Sequence, residues 1–130
     1  MVGIVVVSHS RRAAEGIREI AREMGGDARI EAVGGTEDGR IGTTPGPIRE
    51  AIEAVAGDDG ENGVVVLVDL GSAVMNAELA LEEAAVDDAV VADAPVLEGA
   101  LNAAVAATAS NATVEAVREA AEDAADISKL

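Results

Sequence analysis

The chain alternates between short unbroken apolar runs and longer segments whose apolar residues recur every three to four positions. Val2-Gly3-Ile4-Val5-Val6-Val7 is the first such run, and most of its residues are β-branched. A run of this length and kind predicts a strand buried on both faces. Ile17, Ile20, Ala21 and Met24 follow at helical spacing, and Gly25-Gly26 stops that helix. Ala28 to Val33 reads as a second, weaker strand. The stretch from Gly34 to Gly46 holds five glycines and reads as a long loop. Ile48, Ala51, Ile52 and Val55 define a second helix, starting at Pro47 and ended by Gly57. A polar turn over 58–63 leads to Val64–Val68, the clearest buried strand. Asp69 to Ser72 then turns the chain into a third helix with Ala73, Ala77, Ala80, Leu81 and Ala84 inward. Val86 to Ala92 predicts a fourth strand. Pro95 precedes a helix carrying Leu97, Leu101, Ala104 and Val105, and Val114, Val117, Ala121 and Ala124 mark a last helix.

Strand and helix alternate four times. This order predicts an α/β fold: a four-stranded, mainly parallel sheet with helices on both faces and right-handed crossovers. No repeat or linker interrupts residues 1–130, so one domain is expected. In such a sheet, chemistry collects beyond the carboxyl ends of the strands, where the strand order reverses. The loops at 8–11, 34–47, 69–73 and 92–97 therefore matter most.

Composition narrows that chemistry. The chain has 9 basic and 25 acidic residues, a net charge of −16, no aromatic residue, no cysteine and one histidine. Nucleic-acid binding calls for a basic face and aromatic platforms, and neither can be built. Disulfides, thiolate metal sites, cysteine nucleophiles and multi-imidazole metal sites are excluded. No metal or cofactor is expected. No apolar run approaches the roughly 20 residues of a membrane span. The apolar start lacks a basic leader and reads as mature, cytoplasmic protein. Lysine occurs once, at Lys129, and the core residues are mostly alanine and valine. This pattern resembles proteins of extreme halophiles, whose dense carboxylate surfaces are screened by salt; a simply acidic soluble protein is the alternative.

His9 is the candidate reactive group. It follows the first strand directly, where the sheet fixes its backbone and the next helix offers unpaired N–H groups to an anion. Neutral imidazole is a nucleophile near pH 7 without help from a metal. One ring nitrogen would carry a phosphoryl group, and the other needs an acceptor to fix its tautomer. Asp69, at the end of the third strand, is the candidate acceptor, because the first and third strands are expected to be neighbours. Ser10 reads as a helix cap with a supporting role at a phosphate as its alternative, and Ser72 has the same two readings. Arg11 and Arg12 fall in a helix first turn, where cations oppose the dipole. They either attract a phosphoryl donor or offset acidic neighbours. Gly42-Thr43-Thr44 either lines the pocket or simply precedes a helix. Gly71 belongs to the same cluster of loops. Asn76 is a poor helix former one turn into the third helix and calls for a hydrogen bond into the active loop or across a subunit contact. No GxxxxGK[ST] run is present, which excludes a P-loop nucleotide hydrolase.

Together, three groups of segments resemble a known family. Ile4-Val5-Val6-Val7-Ser8-His9-Ser10 is similar to the strand and phosphohistidine loop of mannose-type phosphotransferase-system enzyme IIA domains. The run from Val68 to Glu78, with Asp69-Leu70-Gly71-Ser72-Ala73-Val74-Met75-Asn76 at its centre, resembles the DhaM branch that serves dihydroxyacetone kinase. Gly35, Gly39, Ile41-Gly42-Thr43-Thr44 and Pro95 to Ala100 resemble its other loops. The resemblance implies a phosphohistidine carrier. His9 would accept a phosphoryl group from phospho-HPr and pass it to ADP bound on DhaL, with DhaK completing the phosphorylation of dihydroxyacetone. It further implies a homodimer, and HPr and enzyme I acting in trans. The expected site is His9 with Asp69, supported by Ser10, Arg11, Thr43, Gly71 and Ser72, with the phosphoryl group on Nε2. Three other readings compete: a sugar-transport enzyme IIA, a small tetrapyrrole metal chelatase echoed by His9-Ser10-Arg11, and a binding module without turnover.

Overall fold

The computed structural model describes residues 1–58, 60 and 62–130. Four strands, β1 (Gly3–Ser8), β2 (Arg29–Gly34), β3 (Val64–Val68) and β4 (Ala89–Val91), form one sheet in the order β2-β1-β3-β4. All three pairings are parallel, so the sheet is wholly rather than mainly parallel. The helices are α1 (Arg11–Met24), α2 (Pro45–Ala56), α3 (Ser72–Glu83), α4 (Val96–Ala107) and α5 (Val114–Asp123), followed by a 3-10 turn at Ala124–Asp126.

Alternation along the strands divides the core into two layers. Ile4, Val6, Val65 and Leu67 point to one face, under Ala14 and Ala21 of α1, Ala100, Ala103, Ala104 and Ala107 of α4, and Val117 and Ala121 of α5. Val5, Val7, Val64 and Val66 point to the other, under α2 and α3. The four consecutive residues Ile4 to Val7 are fully buried. Each such side chain contributes about 1.5–3 kcal/mol relative to exposure. This placement explains why the strands read as unbroken apolar runs.

Several boundaries and faces differ from the sequence reading. The second helix starts at Pro45, two residues before Pro47, with Thr44 as its cap residue. β4 covers only Ala89–Val91, so Val86–Asp88 and Ala92 lie outside the strand. The expected turn at 58–63 includes Asp59 and Glu61, which lie outside the described residues. The largest correction concerns helix faces. Ile20, Met24 and Val105 are exposed, while alanines occupy the contacts beneath α1 and α4. The reason is close approach: a methyl group on Gly25, at the end of α1, would lie 2.6 Å from the backbone of Ala104 in α4. Long side chains do not fit between helices held this close.

The strand order reverses between β1 and β3. Residues following these two central strands emerge side by side, with Val7 opposite Val68 in register. His9 and Asp69 occupy that switch point.

Candidate active site

Strand alternation aims the first polar group of the site. Ile4, Val6 and Ser8 share one face of β1, and Leu67 and Asp69 follow the same alternation on β3. The Ser8 hydroxyl therefore meets the Asp69 carboxylate, donating to Oδ2 at 2.8 Å. Ser8 is buried, and its Oγ also accepts from the Ser10 N–H at 3.1 Å. The backbone N–H of His9 donates to the same Asp69 Oδ2 at 3.0 Å. The imidazole Nδ1 lies 2.9 Å from Asp69 Oδ1. One carboxylate thus holds the backbone, the ring and the preceding residue of the histidine turn.

These contacts set the ionisation of Asp69. Burial raises its carboxyl pKa, but the hydrogen bonds from the His9 N–H, the His9 ring and the Ser8 hydroxyl outweigh burial. The net effect holds it below the ordinary carboxylate value. An ionised Asp69 can only accept, so the proton between the two side chains sits on Nδ1. In the neutral ring, Nε2 then carries the lone pair. Ser72 Oγ, at the start of α3, lies 2.9 Å from Nε2, and in that form its hydroxyl is the donor. His9 and Asp69 are each partly accessible, with 20% of each side chain exposed.

The loop after β2 closes a second side. The Gly42 N–H donates to the His9 carbonyl at 2.9 Å. Asn76 holds that loop from α3: its Nδ2 donates to Thr43 Oγ1 at 2.8 Å and to the Thr43 carbonyl at 3.2 Å. This is the hydrogen bond into the active loop that Asn76 called for. The loop is also braced internally. Thr36 and Arg40 exchange backbone and side-chain hydrogen bonds, and Asp38 bridges both side chains. Gly35 and Gly39 permit the turn, with φ of 75° and 83°, a region that disfavours side chains.

The structure brings His9, Asp69 and Ser72 into direct contact. The other expected residues take less direct positions. Ser10 caps α1, its Oγ accepting from the Ala13 N–H at 3.3 Å. Arg11 is exposed and reaches Glu15 at 3.3 Å. Thr43 is held by Asn76 behind the histidine turn. Gly71 is the cap residue of α3, with helical backbone angles and open space where a Cβ would stand. Ser8 is a further site residue that no motif singles out, although it is the first polar residue on the core face of an otherwise apolar strand. That alternation is the signal that identifies it.

Comparison with known proteins identifies the family. Residues 3–118 match the EIIA-man family model, described as the fructose IIA component of the phosphotransferase system. The chain is 44% identical over 98 residues to the phosphoryl donor subunit DhaM of PEP-dependent dihydroxyacetone kinase 1 from Listeria innocua, a match covering 75% of each chain. It is 42% identical over 124 residues to the corresponding Escherichia coli subunit, but spans only 25% of that longer protein. Among solved structures, the crystallised protein of unknown function EF1359 superimposes with a TM-score of 0.79 at 31% identity, over 94% of this chain and 93% of that one. The chain belongs to the mannose-type enzyme IIA family of the phosphotransferase system, in the branch of dihydroxyacetone kinase phosphoryl donor subunits.

Proposed function

We propose that this chain acts as one phosphohistidine carrier domain, receiving a phosphoryl group on Nε2 of His9 and donating it onward in a PEP-dependent dihydroxyacetone kinase. The observation that carries this reading is the division of labour on the imidazole. Nδ1 is committed to Asp69, and Nε2 faces out past Ser72. The names of the relatives support the phosphoryl-donor role.

The proposed chemistry uses this geometry. The Nε2 lone pair forms an N–P bond as the donor's bond to phosphorus breaks, and that electron pair leaves with the donor. Positive charge develops on the His9 ring and is balanced by the Asp69 carboxylate through Nδ1–H. The Ser72 hydroxyl, released from Nε2, turns to donate to a phosphoryl oxygen. Positioning and charge neutralisation provide most of the catalysis in such a transfer. Onward transfer reverses these steps toward the acceptor. Phospho-HPr is the proposed donor and ADP held by DhaL the proposed acceptor, with DhaK further along the relay. The working unit is proposed as a cytoplasmic homodimer.

The test uses the full chain with phosphoenolpyruvate, enzyme I and HPr. The expected product gains about 80 Da, one phosphoryl group. The adduct is acid-labile, absent in His9→Ala, and discharged by DhaL carrying ADP. Labelling that persists in His9→Ala would overturn the assignment. Labelling that DhaL cannot discharge would overturn the proposed acceptor.

A further inference from the structure

A cleft of about 610 Å³ opens beside the histidine turn, between the start of α1 and the loop after β2. Arg11, Arg12 and Arg40 line it together with Glu15 and Glu37, and Ile41 adds apolar surface. This is an unusual concentration. The sequence holds 9 basic residues including Lys129, hence eight arginines, in a chain of net charge −16. Three of the eight border one cleft next to His9. Arg11 is paired with Glu15, and Arg40 with Asp38. Arg12 enters none of the ion pairs formed among the described residues. Two cations in the first turn of α1, with no acid in that turn, oppose the helix dipole. The pair with Glu15 offsets this for Arg11, and helix stability does not account for Arg12.

We infer that this arginine rim is the landing surface for the phosphorylated donor protein, and that Arg12 is its main attractive charge. The inference rests on His9 being the phosphoryl acceptor. A phosphorylated donor presents about −1.5 to −2 charges at its point of contact. It approaches a molecule of net charge −16, whose overall field repels it. With its arginines close to balancing the carboxylates around them, the rim repels the donor less than the rest of the surface does, on the β2 side of His9. The discharged donor has lost that charge, so the rim favours arrival of the loaded form over return of the empty one. Arg12 touches neither His9 nor Asp69 through a hydrogen bond, so its role is docking.

Transfer from phospho-HPr to the full chain, followed by rapid quench across a salt series, tests the inference. Arg12→Gln is expected to lower kcat/KM by about tenfold through KM, and Arg12→Glu by more, within the range that electrostatic steering spans. The dependence on salt should become shallower in both variants. The rate at saturating donor should stay close to that of the unmodified chain. Phosphoramidate, a small donor that needs no protein docking, should label His9 equally in all three proteins. An unchanged kcat/KM and salt slope in Arg12→Glu would overturn the inference. Slower labelling by phosphoramidate would also overturn it, because Arg12 would then act on the ring. A loss confined to discharge onto DhaL would overturn it by assigning the rim to the acceptor. Failure of the unmodified chain with both donors would instead remove the His9 reading, and this inference with it.

Discussion

Asp69 accepts three hydrogen bonds, from the histidine ring, the histidine backbone and Ser8, and in the proposed mechanism these set the chemistry of His9. Asp69→Asn keeps the shape but replaces a charged acceptor with a neutral amide. Transfer through His9 should fall roughly a hundredfold, the cost of about 1 Å of misplacement of a reacting group. The mass-labelling assay run as a time course measures this, with circular dichroism confirming that the variant is folded. Asp69 also gives the fold a pH dependence. Its folded pKa lies below the ordinary value of 3.8. The native state therefore favours the ionised form. That contribution is fully present above the unfolded value and is lost as pH falls through the folded one. Acid unfolding should begin at higher pH in Asp69→Asn than in the unmodified chain, and coincident curves would contradict the assignment. At this scale the sequence was readable for His9 and Asp69, because each is a polar residue directly after a buried strand. Ser8 was less readable, since a serine at the end of an apolar run looks like the start of a loop.

At the scale of elements, the site depends on how closely the β2 loop approaches the histidine turn. Gly34 ends β2 in register with Ser8. A Cβ at Gly34 would lie 2.6 Å from the Ser8 carbonyl oxygen and 2.7 Å from that of Ser10. These atoms are backbone and cannot rotate away. Gly34→Ala should cost about 1–3 kcal/mol by overpacking, and should slow transfer through His9 as well. Urea unfolding followed by far-ultraviolet circular dichroism measures the first effect, since the chain has no aromatic fluorophore. A loss of stability without loss of transfer would show that the approach matters only for folding. The strands were legible because β-branched runs buried on two faces leave a plain signature. The helix faces were less so. Ile20, Met24 and Val105 gave an apolar stripe, but the packed surface is made by alanines whose spacing is nearly uninformative in an alanine-rich helix. Short β4 was overestimated because Val86 and Ala92 extend the apolar pattern beyond the three residues that pair with β3.

On the scale of the whole molecule, a charge of −16 on 130 residues opposes compactness. The ion pairs among the described residues are few, and several join fully or largely exposed groups, such as Arg11 with Glu15 and Arg40 with Asp38. Such pairs contribute little individually. Screening of the net repulsion should therefore dominate the response to salt. The melting temperature should rise between low salt and 1 M sodium chloride, where the Debye length is about 3 Å. A flat or falling melting temperature would mean that the carboxylates are already compensated within the fold. The topology was legible at this scale because alternating strands and helices permit few arrangements, and the order β2-β1-β3-β4 places the two reactive loops together.

Placing the phosphoryl group on the outward nitrogen of His9, with Asp69 holding the inner one, is open to nitrogen-15 and phosphorus-31 NMR of the phosphorylated chain. Phosphorus should couple to Nε2, with Nδ1 remaining protonated toward Asp69. Coupling to Nδ1 would overturn the proposed mechanism, because the His9–Asp69 contact would then have to break before the histidine could react.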